Sequence, residues 1–236
     1  MIRLRVLRAA PAVLVLLGIP ACSVVQSVKG FLAGGSGPAN VNDLVEAVEE
    51  VESELDASKG AMLASVQALQ KVTAPDFQGD AVKAYDELES VFDASDDQAE
   101  TLRKSIESMQ ADAEPVFDQW TKDLEAYSNP ELRQRSQQRL AAARERYDAV
   151  VAAVEPVLVE YEAINETLRD HLLFLSHDMN VEALSAIQED VRKVAKNASD
   201  LDGAFNSGRA AARAYIESSA QPKAPTPEKA VAVKGS

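Results

Sequence analysis

The sequence predicts an all-α fold, an elongated antiparallel four-helix bundle or coiled coil from which a two-helix arm protrudes. Three observations predict it. Between residues 41 and 219 apolar residues recur at alternating spacings of three and four, which keeps one stripe of a helix facing a partner. The same stretch holds only four glycines and four prolines, too few breakers for anything but long helices. The breaks that do occur are short, and short connections force antiparallel neighbours.

The chain begins with a different kind of segment. Arg3, Arg5 and Arg8 precede a short apolar stretch, Ala9 to Pro20, that ends in Ile19-Pro20-Ala21-Cys22. A positive n-region followed by a brief apolar core is the layout of a signal peptide, and the stretch is shorter than the roughly 20 apolar residues a spanning helix needs. Residues 1–21 therefore read as a signal peptide. Residues 22–40 read as a flexible tether, because Gly34-Gly35-Ser36-Gly37-Pro38 cannot continue a helix.

Four helices follow. The first, 41–73, carries Val41, Val48, Leu55, Met62 and Leu69 at seven-residue spacing and stops at Ala74-Pro75. The second, 80–128, carries Tyr85, Phe92, Ala99, Ile106, Ala113, Trp120 and Tyr127. Asn129-Pro130-Glu131 then supplies a cap, a first-position proline and an acid beside the positive helix end. The third, 130–178, runs through Leu140, Tyr147, Val154, Tyr161, Leu168 and Leu175, and Asn180 restarts the chain in the same manner. The fourth, 181–219, carries Leu184, Val191, Ala198, Phe205 and Ala212. Additional apolar positions such as Val66, Val151, Leu158 and Leu172 widen the stripes, which suits a bundle better than a two-stranded zipper. Pro115 and Pro156 fall inside stripes that continue past them, so kinks are expected there rather than ends. Gly60, Gly203 and Gly208 each weaken their helix by about 1 kcal/mol relative to alanine. Residues 41–219 form the helical domain, and 220–236, rich in Pro, Lys and Ala, read as a disordered tail.

At a rise of 1.5 Å per residue the two middle helices would each be roughly 75 Å long and the outer two roughly 50 and 60 Å. The outer helices should therefore end before the Asn129 turn, leaving an arm from about Asp112 to Arg146. Its descending half carries Asp112, Glu114, Asp118, Asp123 and Glu125, its returning half Arg133, Arg135, Arg139, Arg144 and Arg146. Acid is expected to face base across this hairpin, and an interaction surface around Trp120, Tyr127, Arg133, Arg135 and Arg139 is the alternative use of the same residues.

Two resemblances bear on function. Ile19-Pro20-Ala21-Cys22 resembles the lipobox of bacterial lipoproteins, which implies cleavage before Cys22 and lipid on its sulfur and new amino group; an ordinary secretory signal with a chance cysteine is the alternative. Ser23 after the cysteine implies, in Gram-negative lipoproteins, sorting to the outer membrane. Separately, the stretch from Phe117 to Ile187 resembles a bacterial family catalogued as domain of unknown function 2959. The matching residues are Phe117-Asp118-Gln119-Trp120, Tyr127-Ser128-Asn129, Leu132-Arg133, Arg146-Tyr147, Pro156-Val157-Leu158, Leu168-Arg169-Asp170 and Ala183 to Ile187. Weaker similarity covers roughly 42 to 217. The resemblance implies an exported all-helical protein and carries over no site residue.

Composition narrows the chemistry. One cysteine among 236 residues excludes an intramolecular disulfide framework and cysteine-rich metal sites, and two histidines leave little for a metal cage. Carboxylate di-iron bundles need Glu-x-x-His on two helices, but Leu168 and Phe174 stand three before His171 and His177. His171 lies on an apolar stripe and reads as a core or boundary residue. A net charge of −14 argues against nucleic-acid binding. Asn165-Glu-Thr and Asn197-Ala-Ser match a glycosylation pattern of little meaning in a bacterial lipoprotein. The expectation is a non-enzymatic protein without cofactor or metal, anchored in the cell envelope through Cys22, on the periplasmic face of the outer membrane. Its helical arm would contact a protein partner or a second copy. The competing reading is a binding protein holding a small apolar or cationic ligand between the helices near Pro115 and Pro156.

Overall fold

The heptad stripes become the core. The computed structural model describes residues 38–177 and 179–219, all within one unit, Gly34–Ser236. The expected signal peptide, Cys22, the expected tether up to residue 37 and the expected tail after 219 lie outside the described residues. The elements are α1 (Pro38–Val72), α2 (Ala81–Asp123), a 3-10 turn (Leu124–Ala126), α3 (Pro130–His177), α4 (Val181–Ala186) and α5 (Gln188–Ser219). Each long helix packs on two neighbours: α1 on α2 and α5, α3 on α2 and α5. This is the up-down-up-down bundle the short connections require. Among the described residues no helix is long and apolar enough to cross a membrane.

The registers are antiparallel and can be read from single contacts. Between α1 and α2, Lys71 meets Glu87, Ser65 Oγ donates to the Val91 carbonyl at 2.7 Å, and Gln98 reaches Glu54. Ser58 and Ser65 are fully buried on α1, in step with Leu44, Val51 and Val72. Their small side chains let α2 approach closely enough for that direct bond to its backbone. On the other side Arg213 reaches Glu52 at 2.9 Å and Lys59 reaches Asp202 at 2.6 Å, holding α5 against α1. Gly208 sits at this crossing, where a methyl group would lie 3.2 Å from Leu55 Cδ1 and 3.5 Å from Val154 Cγ1.

The start signals at Asn129 and Asn180 act as read from sequence, and Asp80 supplies a third that the sequence reading did not name. Asp80 Oδ1 accepts from the amides of Val82 and Lys83, Asn129 Oδ1 from Glu131 and Leu132, and Asn180 Oδ1 from Ala183. These acceptors satisfy amides that have no partner within the helix. Pro115 and Pro156 lie inside continuous helices with their rings exposed. There the unmade hydrogen bond faces solvent.

Four boundaries differ from expectation. Helix α1 begins at Pro38 rather than 41, proline being well suited to a first helical position. Helix α2 ends at Asp123, and its last turn tightens into the 3-10 segment. The fourth helix is two: Ile187 departs from helical geometry (φ −96°, ψ −1°) and is buried. The next residue, Gln188, donates its side-chain amide to the Thr73 carbonyl at the end of α1. Finally, the arm is shorter than Asp112 to Arg146. Ala113, Val116, Phe117, Ala143 and Tyr147 are buried within the four-helix part, and the Tyr147 ring meets Tyr215 of α5 at 6.3 Å. No residue from Thr121 to Arg135 is buried. The two-helix hairpin thus extends only from about Trp120 to Arg139. Helix α5 ends at Ser219 as expected, so its length does not shorten the arm; α1 starts three residues early, and both helices reach further along α2 and α3 than lengths alone placed them.

Candidate functional site

The hairpin and the four-helix layer beneath it hold the residues that are not explained by packing. Trp120 is half-buried, and its indole N–H donates to Ser136 Oγ at 2.9 Å, clasping α2 to α3 where the hairpin begins. Tyr127 and Leu132 stand at the tip, 41% and 48% exposed. Arg133, Arg135 and Arg139 are exposed. The expected acid-to-base zipper is not formed. Among the described residues Arg144 alone of the five arginines pairs with an acid of α2, Asp118 at 3.8 Å just below the hairpin, and it also lies over the Phe117 ring at 5.3 Å. Among the described residues Arg133, Arg135, Arg139 and Arg146 make no ion pair.

Below the hairpin the bundle is incompletely filled. Val41 opens α1, Ser218 and Ser219 close α5, and between them α3 presents Ala142 and Ala143. Small residues and helix ends leave a hollow of about 540 Å³, walled by Val116, Phe117, Trp120 and Tyr215 and edged by Arg139 and Arg146. Arg146 is half-buried, and its Nε is shielded from solvent with no hydrogen-bond acceptor. Phe117, Tyr147 and Tyr215 form an edge-to-face ladder beside it, with centroids 5.5 and 6.3 Å apart. Burial raises the Tyr215 phenol above its ordinary value, opposed by its bond to Ser219 and by the positive charge of Arg146. Burial pushes Tyr147 up to about 12. Both hydroxyls thus stay neutral, leaving the arginines as the charge of the hollow.

Beside the second proline the core is filled. Val154, Val157, Tyr161 and Phe205 fill the core near Pro156 with no exposure. A groove of about 630 Å³ lies on the outside between α3 and α5, passing Glu160, Thr167, His171, Asp190 and Lys193. His171 Nδ1 faces the Thr167 carbonyl at 2.7 Å, which makes Nδ1 the protonated nitrogen, and Nε2 is buried without a partner. Lys193 pairs with Asp190 at 2.9 Å and draws the carboxyl below its usual value. His177 is exposed at the end of α3. Among the described residues no three His, Cys, Asp or Glu side chains are placed to hold a metal ion.

Sequence reasoning missed one polar cluster. Ser95, Tyr161 and Asn165 are buried together between α2 and α3. Ser95 Oγ donates to Asn165 Oδ1 at 2.9 Å and lies 2.9 Å from the Tyr161 hydroxyl. The Ser95 carbonyl accepts from Tyr161 at 2.7 Å and from Asn165 Nδ2 at 3.1 Å. The signal was present: Ser95 interrupts the series Leu88, Leu102, Met109, and Asn165 the series Leu158, Leu172. A polar residue in step with a buried stripe needs partners, and here they are each other. Its burial also removes Asn165 from consideration as a glycosylation acceptor. The hollow had a fainter signal, since Arg139 and Arg146 are seven apart on one face of α3, with Ala142 and Ala143 of the run Ala141 to Ala143 between them.

A family model described as protein of unknown function (DUF2959) matches residues 36–219. No curated protein matches the chain.

Proposed function

The chain belongs to the DUF2959 family, whose description assigns no activity, and from that premise we propose a lipid-anchored protein of the bacterial cell envelope. Its helical unit acts as a non-enzymatic scaffold that docks a protein partner at the hairpin tip. The observation that carries this reading is the tip itself: Arg133 and Arg135 stand without an ion pair among the described residues beside exposed Tyr127 and Leu132. Unpaired arginine next to an exposed aromatic residue is the composition of interaction hot spots, and an acidic partner surface is its complement. The envelope location rests on the signal-like start and on Ile19-Pro20-Ala21-Cys22, with Ser23 favouring the periplasmic face of the outer membrane. Multiple acyl chains on Cys22 give durable anchoring where one chain binds only marginally.

Two measurements test it. Cys22→Ala should abolish fatty-acid labelling and release the protein from the membrane fraction; unchanged labelling would falsify the anchor. A photo-crosslinker at position 135 in cells should give a discrete adduct that disappears when Arg133 and Arg135 become glutamate. Capture no better than from position 87 would remove the scaffold reading.

A further inference from the structure

We propose that the hollow beneath the hairpin binds an anionic amphiphile, its phosphate or carboxylate head between Arg139 and Arg146 and its chain against Trp120, Val116 and Val41. The proposal is independent of the hairpin-tip contact, because neither Arg133 nor Arg135 lines the hollow.

Four features of the hollow converge on this class of ligand. Its volume of about 540 Å³ falls within the range of small-molecule sites. Its walls are mainly aliphatic and aromatic, with a small number of polar groups at one edge, so the ligand must be part apolar and part polar. The charged groups at that edge are both cationic: Arg139 and Arg146 lie two helical turns apart on one face of α3 and make no ion pair among the described residues. Finally, the Nε–H of Arg146 is out of solvent with no acceptor, a standing cost in the free protein that an anionic oxygen in the hollow removes. The sign of the lining favours an anionic head over the cationic one that the sequence reading named beside an apolar ligand. Arginine forks match phosphate and carboxylate oxygens alike, so a free single-chain amphiphile and a lipid headgroup share the required chemistry.

Trp120 is the chain's single tryptophan and a wall of the hollow, so its fluorescence reports occupancy directly. Full-length protein carrying Cys22→Ala is titrated with dodecyl phosphate below its micellar concentration, and in parallel with inorganic phosphate and with dodecyltrimethylammonium. A saturable emission change with dodecyl phosphate, much weaker with the other two, is expected. Arg146→Gln should weaken binding on the order of tenfold, the loss of one charge-assisted hydrogen bond. Arg133→Gln should leave it unchanged. Ala142→Leu, which fills the hollow without touching the charge, should abolish binding while the melting temperature holds. Competition by phosphatidylglycerol vesicles but not phosphatidylcholine vesicles identifies a membrane lipid as a source; no competition by either identifies a free amphiphile. Absence of saturation, equal affinity for the ammonium analogue, or unchanged binding in both Arg146→Gln and Ala142→Leu overturns the proposal.

Discussion

Removing the Tyr161 hydroxyl isolates one interaction at the α2–α3 interface. Tyr161→Phe keeps the fully buried ring and its edge contact with Phe205 at 5.9 Å. It removes a donor that serves the Ser95 carbonyl at 2.7 Å. Nothing is left stranded: the carbonyl still accepts from Asn165 Nδ2, and Ser95 Oγ still donates to Asn165 Oδ1. The loss is therefore the net value of a hydrogen bond, about 1 kcal/mol. Asn165→Ala differs, because it removes two bonds and opens a space that the helices cannot fully close, so about 2–3 kcal/mol is expected. In urea, followed by circular dichroism, Tyr161→Phe should lower the midpoint by roughly 0.5 M at unchanged slope. The two substitutions share a partner, so the double variant should lose less than the sum. Tyr161→Phe at wild-type stability or above, or strict additivity, would refute the cluster as a coupled unit that sets the α2–α3 register.

Exposed glycines give the opposite sign. Gly60 and Gly203 are exposed, with no atom within 4 Å of an added methyl group, so Gly60→Ala and Gly203→Ala should each stabilise by about 0.5–1 kcal/mol, seen as a higher melting temperature. Gly208→Ala should gain less, because Leu55 must move to admit the methyl group. Alkaline pH provides a third test. Burial pushes the phenols of Tyr147 and Tyr161 up to about 12, whereas an unfolded tyrosine ionises near 10. Their stabilising contribution is complete below pH 10 and is lost as pH rises through about 12, since the unfolded state releases protons the folded state retains. Unfolding free energy should fall across that window, and Tyr147→Phe or Tyr161→Phe should flatten the fall; an identical profile in the variants would contradict it.

Much of the fold was legible in the residues because each helix carries its own instructions. Asp80, Asn129 and Asn180 cap the amides that follow them, and the seven-residue series name the buried face without reference to any neighbour. The arm was misjudged for the complementary reason. Where α1 and α5 end relative to α2 and α3 depends on interhelical register, which small residues such as Ser65 and Gly208 set by allowing close approach. The arginine zipper reduces likewise to Arg144 with Asp118 among the described residues, because counting acids and bases on two segments does not say which of them meet. Arg139 was assigned to a partner surface, yet it edges the hollow with Arg146, Trp120 and Tyr215.

Sequence by itself determined which segments are helical, where most of them start and which stripe each buries, since propensity, capping and periodicity act within one helix. Tertiary structure alone decided the break at Ile187, the meeting of Ser95 with Tyr161 and Asn165, and the space beneath the hairpin. Each of these depends on side chains from different helices arriving at one level. That level is fixed by how closely the helices pack, a quantity that no single stripe contains.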